Sequence, residues 1–277
     1  MNQTAEHSLP SDPYCRPFEG SAEHRALYEY QLSLDCTVPL LIRWGIDPDG
    51  LWVMDLGCGS GGLVLALAAQ GAHCLGVDLR PERIQAGREM AAQQQVEVDL
   101  RTGDILRMGA LERRYDLVIL SEIVEHLETT AHVLELLTWC REQLSPKGRI
   151  YVSFPPWFSP FAGHQAGWEV IRYIPWYHLL PDRLKKLLAP GHALAYLEFA
   201  QELNHLTIHT FEKIAKQAGL EPVSRELYLI RPEYRYRYGI PELRSSPLAR
   251  IPVIREFVAM GAYYLLGQLR DGVARAK

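Results

Sequence analysis

The hydrophobic positions of this chain change their spacing repeatedly between residues 51 and 154. Helical spacing alternates there with short apolar segments of strand length. Strands that alternate with helices are typical of βαβ units, which build a mostly parallel sheet with right-handed crossovers. The predicted fold class is therefore α/β, Rossmann-like, with ligands beyond the carboxyl ends of the strands. The five predicted strands of this region are 51–56, 73–79, 96–104, 115–121 and 149–154.

Helices are predicted before and between these strands. Residues 21–46 carry apolar positions at helical spacing, and Pro39 is expected to kink or divide that helix. A helix is predicted at 63–70, another begins at Pro81, a favoured first helical position, and a third spans 130–145.

Residues 155–204 interrupt the alternation. The segment is rich in Pro, Trp, Tyr and His, and a long aromatic insertion in a compact domain is typically functional rather than disordered. We predict that it caps the substrate and is followed by a helix at 208–219 and a strand at 222–230. A seven-stranded sheet is expected, but the pattern does not place its seventh strand; the segment 234–240 (YRYRYGI) is a weak candidate.

The pattern divides the chain into three parts. Residues 1–20 are polar and rich in Pro and Ser, which predicts a flexible arm. The α/β domain is expected to span 21–230, and 231–277 to form a C-terminal extension with an amphipathic helix at 251–269. A chain of 277 residues suits one large domain that carries an insertion.

Composition narrows the class of protein further. Hydrophobic residues make up 48% and charged residues 22%, as in an ordinary globular protein, and the net charge of -4 creates no field that would recruit nucleic acid. The apolar run 258–267 is well short of the roughly 20 residues of a membrane-spanning helix. The polar N-terminus predicts no signal peptide, and the scattered cysteines indicate reduced thiols, so a cytoplasmic location is expected. These cysteines are Cys15, Cys36, Cys58, Cys74 and Cys140.

A glycine-rich turn follows the first predicted strand, in the sequence DLGCGSGG at 55–62. Glycines allow a sharp turn and the close approach of a ligand to the backbone. Gly57, Gly59 and Gly62 fit the dinucleotide fingerprint G-x-G-x-x-G, and Asp78 stands where an acidic residue would bind a ribose diol. The glycines alone therefore leave NAD open as a ligand.

Acidic residues at three strand ends favour another cofactor. Asp55 precedes the glycines, where a carboxylate would repel a pyrophosphate but attract the ammonium and sulfonium groups of S-adenosylmethionine. The carboxylate of that cofactor can meet the amides at the following helix start. Asp104 follows the third strand and can accept a hydrogen bond from an adenine amino group. Ser121 and Glu122 bring polar side chains to the end of the fourth strand.

With these motifs in order, the chain resembles the class I S-adenosylmethionine-dependent methyltransferases. The segments DLGCGSG, GVDL, GDI and YDLVILSEIVEHL carry the resemblance over roughly 50–155, and the last is similar to that of ubiquinone-biosynthesis O-methyltransferases. The resemblance implies S-adenosylmethionine as cofactor. The implied cofactor-binding residues are Asp55, Gly57, Cys58, Gly59, Gly61, Asp78, Leu79, Arg83, Asp104, Ile105 and Ser121.

Glu122, Glu125 and His126 form a Glu-x-x-Glu-His motif after the fourth strand. If the segment begins a helix, residues three and four apart share a face, and two carboxylates with an imidazole suit Mg²⁺, Mn²⁺ or a similar ion. The motif also resembles that of small-RNA 2′-O-methyltransferases, which implies a divalent metal with one further His as ligand. His205 is the candidate for that ligand and His164 its rival; alternatively, Glu125 is solvated and His126 only caps or packs.

The motif also predicts the reaction. A hydroxyl acceptor needs a base, for which His126 or His164 is the candidate, or a metal that lowers its pKa. Such assistance favours O-methylation over N- or C-methylation. A partly apolar substrate pocket is predicted from side chains of the insertion. Its residues are Trp157, Phe158, His164, Trp176 and His178.

A small-molecule acceptor is the expected partner. Nucleic acid is disfavoured because the domain is not basic, although the aromatic-basic run 231–238 could stack bases. The 251–269 segment is expected to pack on the domain, with a peripheral membrane surface or a second copy of the chain as alternatives. The competing functions are a methyltransferase acting on RNA or a lipid, an NAD-dependent reductase, and a non-catalytic cofactor-binding protein. Asp55 and the absence of a Tyr-x-x-x-Lys pair disfavour the reductase.

Overall fold

The computed structural model describes residues 22–109, 111–162, 170–191, 195–196, 203–244 and 251–269. The helices are α1 (Ala22–Leu32), α2 (Val38–Arg43), α3 (Gly62–Ala68), α4 (Pro81–Gln94), α5 (Thr130–Gln143), α6 (Asp182–Leu188), α7 (Ile208–Gln217), α8 (Glu233–Tyr238) and α9 (Pro252–Val258). The strands are β1 (Trp52–Leu56), β2 (His73–Asp78), β3 (Asp99–Thr102), β4 (Tyr115–Ser121), β5 (Leu144–Phe154), β6 (Leu220–Ile230), β7 (Leu243–Arg244) and β8 (Gly261–Gln268).

All of these strands belong to one sheet, in the order β3-β2-β1-β4-β5-β8-β6-β7. The strands from β3 to β5 are parallel, whereas β8 runs antiparallel to both of its neighbours and β7 antiparallel to β6. The α/β, Rossmann-like fold predicted from the sequence is confirmed. The described residues form eight strands rather than the predicted seven.

Strand β4 shows how the sheet organises the interior. Val118 and Leu120 belong to one hydrophobic core, Leu117 and Ile119 to another, and all four side chains are completely buried. Successive residues of a strand point to opposite faces, so the two cores lie on opposite sides of the sheet. Helices α5 and α7 contribute to the first core, and α1 to α4 to the second. Burying each such side chain contributes about 1.5–3 kcal/mol.

The predicted N-terminal helix is present and is interrupted. A five-residue π-helix at Ser33–Thr37 separates α1 from α2. The interruption precedes Pro39, which lies in the first turn of α2, where no backbone N–H donor is needed. Helix α1 packs against α3 and α4, so it reaches the glycine-rich turn.

The predicted amphipathic helix at 251–269 is wrong. Helix α9 ends at Val258, and β8 then enters the sheet between β5 and β6. Tyr264 and Leu266 join one core, Tyr263 and Leu265 the other. A strand buried on both faces has a continuous apolar run, which periodicity does not distinguish from a buried helix. Residues 261–268 are therefore a central strand of the sheet, and the short helix α9 is the only helical part of the predicted segment.

Two further predictions can be compared with the structure. The weak strand candidate at 234–240 is wrong, because Glu233–Tyr238 form α8, which ends at Gly239 with a φ of 65°. Within the described part of the insertion, a small separate core contains Ile171, Tyr177, Ala189 and Tyr196. No helix among the described residues is long and apolar enough to cross a membrane.

We expect Leu266→Ala to lower the free energy of unfolding by roughly 2–5 kcal/mol, the range for large-to-small substitutions in a core. Leu266 is fully buried in β8. The matched control is Leu243→Ala on β7, where the side chain is 50% exposed and an effect below about 1 kcal/mol is expected. Urea unfolding measures both variants. Equally small effects would contradict the central position of β8.

Candidate active site

The glycine-rich turn links the ends of β1 and β2. The backbone N–H groups of Gly57 and Cys58 both donate to the carbonyl of Val77, at 2.7 and 3.0 Å. Gly57, Gly59 and Gly61 have φ angles of 74°, 61° and 74°, a left-handed conformation that L side chains rarely adopt. The turn therefore lies against the strand ends in a backbone conformation that glycine favours.

Asp78 is held in place by this turn. Its carboxylate accepts hydrogen bonds from the N–H groups of Gly59 at 3.0 Å and Arg80 at 2.9 Å. It is buried at the end of β2, where the sequence predicted a ribose-binding carboxylate. Leu79, which follows it, is 69% exposed, and Arg83 is partly buried in the first turn of α4.

Asp55 is the most constrained group of the site. Its side chain is buried, and no described residue forms a hydrogen bond with its Oδ1. Burial raises its pKa to about 8, and the neighbouring carboxylates of Glu29 and Asp78 contribute to the rise. A buried carboxyl group with an unpartnered oxygen in this position would gain stability from a cationic ligand.

Sequence reasoning missed Glu29, which α1 brings over the glycine-rich turn. Its Oε2 accepts a hydrogen bond from the N–H of Ser60 at 3.1 Å, and a Cβ at Gly59 would lie 3.2 Å from the same oxygen. Burial raises its pKa to about 7. The available signal was its spacing, since Glu29 stands three residues after Ala26 on the face that packs inward.

The other predicted cofactor residues lie along the same edge of the sheet. Asp104 follows β3, accepts a hydrogen bond from the N–H of Leu106 at 3.0 Å and pairs with Arg107. Ile105 is partly buried beside it. Ser121 ends β4, with its hydroxyl 3.1 Å from that of Ser153. The cofactor residues predicted from the sequence thus line the carboxyl ends of β1 to β4.

Glu122 and Ile123 connect this edge to a second group of side chains. A Cβ at Gly57 would lie 2.1 Å from Cδ1 of Ile123, so the two turns touch. Glu122 has a φ of 55° and is ion-paired through Oε2 with Nη2 of Arg231 at 2.7 Å. Arg231 also pairs with Glu233. Burial by itself lowers the pKa of Arg231, but the two carboxylates raise it well above its ordinary value.

Glu125 and His126 lie in a short 3-10 turn, not in the longer helix that the metal prediction assumed. Glu125 is buried, and both burial and the nearby Glu122 raise its pKa well above the ordinary value. His126 is 44% exposed, with Nε2 4.0 Å from Oε1 of Glu125. Asn204 donates through its side chain to the carbonyl of Val124 at 2.6 Å, which fixes the chain before His205 against this turn.

His205 is brought near the motif, as its spacing suggested, but its ring stacks on Trp157 at 3.8 Å between centroids. The Trp157 ring also meets His178 edge-on at 4.8 Å. His178 is buried, and its Nε2 donates to the carbonyl of Trp157 at 2.7 Å, which leaves Nδ1 without a described partner. Burial lowers the pKa of His178 to about 4, so its ring is neutral at pH 7.

The remaining predicted pocket residues lie on the outer side of this cluster. Trp176 has a φ of 57°, is 39% exposed, and donates from its indole N–H to the carbonyl of Phe158 at 3.0 Å. Phe158 stacks on Phe257 of α9 at 5.3 Å between centroids. His164, the alternative base and ligand, falls in 163–169, outside the described residues.

The predicted metal site is not assembled in the described part of the chain. No group of three or more His, Cys, Asp or Glu side chains there could hold a metal ion. The Glu122 carboxylate is bound by the Arg231 guanidinium, and the His205 ring is engaged by Trp157. A permanent cation within 2.7 Å of the proposed first ligand opposes a second cation, so Glu122, Glu125, His126 and His205 do not fit a divalent ion.

Comparison with known proteins finds relatives for the segment that contains the glycine-rich turn and the turn after β4. Residues 53–148 match the family described as methyltransferase domain. A ubiquinone biosynthesis O-methyltransferase of Cereibacter sphaeroides is 36% identical over 105 residues, which cover 38% of this chain and 41% of that protein. The corresponding protein of Xylella fastidiosa is 36% identical over 105 residues, 38% and 42% of the two chains. The chain thus spans less than half the length of these relatives.

Solved structures resemble the fold over most of its length. Magnesium protoporphyrin IX methyltransferase from Synechocystis, solved with S-adenosylhomocysteine, aligns with a TM-score of 0.56, 16% identity and 92% coverage of both chains. A methyltransferase from Streptomyces caelestis aligns with a TM-score of 0.54, 16% identity and 90% coverage of both. The fold is that of the S-adenosylmethionine-dependent methyltransferases. The match over 53–148 places the glycine-rich turn, Asp78 and the turn after β4 within a methyltransferase domain.

The free protein is expected to lose stability through Asp55 as the pH rises. The folded chain holds this proton with a pKa of about 8 rather than the ordinary 3.8, so it binds more protons than the unfolded chain between those values. Between pH 6 and 8 the loss is on the order of 2 kcal/mol. Urea unfolding at both pH values should show a smaller loss for Asp55→Asn than for the wild type. The control is Glu89→Gln, on the exposed face of α4; an Asp55→Asn loss equal to the wild-type loss would contradict the assignment.

Proposed function

We propose that this protein transfers a methyl group from S-adenosylmethionine to a hydroxyl of a small, partly apolar or aromatic molecule. One observation carries the proposal: the carboxyl groups of Asp55 and Asp78, which are buried, and of Glu29, which is partly buried, gather around the glycine-rich turn. Like charges gathered in a buried site are unfavourable without a cation. The ammonium and sulfonium of S-adenosylmethionine supply one, and its reactive methyl is already activated.

The residues present fit this cofactor. Oδ1 of Asp55, which has no described hydrogen-bond partner, is the proposed acceptor for its ammonium group. A Cβ atom at Gly57 would collide with Ile123, and one at Gly59 would lie close against Glu29, so a side chain at either position would crowd the turn. Asp78 would hold the ribose and the 103–105 segment the adenine, as the sequence predicted. Because these groups would bind and orient the cofactor, the main contribution of the protein is to align the two reacting molecules.

The acceptor is proposed to lie between the turn after β4 and the insertion. Among the described residues, Glu122, Trp176 and His205 share a positive φ angle, and such backbone strain concentrates at functional sites. His126, partly exposed beside Glu125, is the proposed base that takes the hydroxyl proton, with His164 as the alternative. No step is assigned to a divalent ion, since Arg231 occupies the carboxylate of Glu122.

The aromatic side chains favour a small acceptor over nucleic acid. Trp157, with His178 and His205 against its ring, forms a compact aromatic wall. The aromatic-basic run that might have stacked bases folds into α8, where Tyr234 and Tyr238 pack edge-on at 5.2 Å. An RNA substrate is therefore the weaker proposal. Curated relatives that match 38% of the chain are named O-methyltransferases, which supports a hydroxyl acceptor.

We expect tight binding of S-adenosylmethionine and little or no binding of NAD, because a pyrophosphate would face Asp55 and Glu29. Asp78→Ala should weaken cofactor binding by about 1–3 kcal/mol, the scale of hydrogen bonds to a charged group. Glu29→Gln should weaken it in the same direction. Isothermal titration calorimetry measures each variant, with the exposed Glu89→Gln as control. Tighter binding of NAD than of S-adenosylmethionine would overturn the proposed function.

Substitution of Trp157 by Ala is expected to lower turnover of the acceptor by about two- to tenfold, since an aromatic contact worth about 0.5–1.5 kcal/mol would be lost. Affinity for S-adenosylhomocysteine should stay unchanged. Trp176→Ala should act in the same direction, and Tyr173→Ala, at a 69% exposed side chain, is the control. The assay follows methyl transfer to a panel of phenols and aliphatic alcohols. Equal loss of cofactor binding and turnover would show that these residues are structural instead.

A further inference from the structure

Arg231 is a buried cation at the carboxyl edge of the sheet. It follows β6, its side chain is only 11% exposed, and it bridges two carboxylates. One belongs to Glu122 after β4 and the other to Glu233 in α8. Strand β6 is separated from β4 by β8 and β5, so the arginine reaches across two strand ends to Glu122.

Residues of β8 and α8 fix the position of the Arg231 side chain. A Cβ at Gly261, the first residue of β8, would lie 3.0 Å from Cγ and 3.4 Å from Cδ of Arg231. The missing side chain therefore leaves space for the aliphatic part of the arginine. The Tyr263 hydroxyl donates to Glu233 at 3.5 Å and supports the second carboxylate. The guanidinium position is thus defined by β8 and α8 as well as by Glu122.

The local charge explains why a cation is needed there. Glu122 is partly buried, and Glu125, three residues on, is almost completely buried. Buried carboxylates without a compensating cation are costly. Guanidinium stays charged at every relevant pH and binds carboxylates in a fixed geometry. Arg231 therefore supplies the charge that the Glu-x-x-Glu-His motif would otherwise seek from a metal ion.

We propose that Arg231 is the resident cation of the acceptor side, that it takes the place of a divalent ion at Glu122, and that it positions this carboxylate. The Oε2 atom of Glu122 is held by Arg231, whereas no described residue forms a hydrogen bond with its Oε1. The hydrogen-bonding capacity of that buried oxygen is therefore unused among the described residues. The inference rests on the proposed function for the place of the acceptor, but its test needs no acceptor.

The test measures Mn²⁺ binding by electron paramagnetic resonance in the full chain. The wild type is expected to bind no Mn²⁺ in a Glu122-dependent way. Arg231→Ala should bind Mn²⁺ at least about tenfold more tightly, because two carboxylates lose their cation. The double variant with Glu122→Gln should lose that gain, and Arg244→Ala, an exposed arginine paired with Glu226 on the sheet edge, should behave as the wild type.

Thermal unfolding in EDTA gives an independent measurement. Arg231→Ala is expected to lower Tm by on the order of 10 °C, the cost of breaking a buried ion pair. Adding Glu122→Gln should restore part of the loss, and Arg231→Lys should retain more stability than Arg231→Ala. A purely steric role for Arg231 would give no restoration by Glu122→Gln.

Several outcomes would overturn the inference. Glu122-dependent binding of Mn²⁺ by the wild type would do so even if Arg231→Ala fails to fold. A folded Arg231→Ala that gains no Mn²⁺ affinity would do so as well. S-adenosylhomocysteine binding, measured on the same samples, should be unchanged in every variant. Because that binding tests the proposed function separately, failure of one proposal is distinguishable from failure of the other.

Discussion

Asp55 lies at the end of β1 with its carboxyl group inside the molecule and an oxygen that accepts no hydrogen bond from a described residue. Water would stabilise the ionised form far better than this position does, and the raised pKa records that cost. The neighbouring carboxylates of Glu29 and Asp78 raise the pKa of Asp55 further instead of lowering it. A cationic ligand that binds beside these carboxylates would therefore relieve their unfavourable electrostatic interaction.

This arrangement depends on the rigidity of the sheet beneath it. Strands β1, β2 and β4 are parallel and buried on both faces, so their carboxyl ends meet at one edge with little freedom. Two backbone donors on Val77 and a third on Asp78 hold the turn against that edge. Helix α1 then closes the site from above, since a Cβ at Gly62 would collide with the backbone of Glu29.

The two halves of the site differ in what they share with other proteins. The match to the methyltransferase domain family ends at residue 148, before the insertion that carries Trp157 and His178. The residues of the glycine-rich turn therefore lie in the segment that matches other methyltransferase domains. The insertion and Arg231 lie outside that match, and Arg231 reaches Glu122 from the end of β6. The charge beside Glu122 is thereby set by a residue outside the matched segment.

The cofactor half was predictable because its signals are local. Asp55, the glycines and Asp78 lie within one βαβ unit, and strand ends follow from the alternation of apolar segments. The acceptor half was predicted only in part. His205 was placed near the motif by its spacing, but its stacking on Trp157 and the short 3-10 turn at Glu125 depend on packing between distant segments.

By itself, the sequence determined the fold class, the edge of the sheet that carries the chemistry, and the residues of the glycine-rich turn. The tertiary structure decided what distant residues do there. Strand β8 was mistaken for a helix because a fully buried strand loses its period of two. Glu29 lies 26 residues from Asp55 in the sequence, and Arg231 lies 109 residues from Glu122. Charge compensation acts through space, and no local pattern records which distant side chain will provide it.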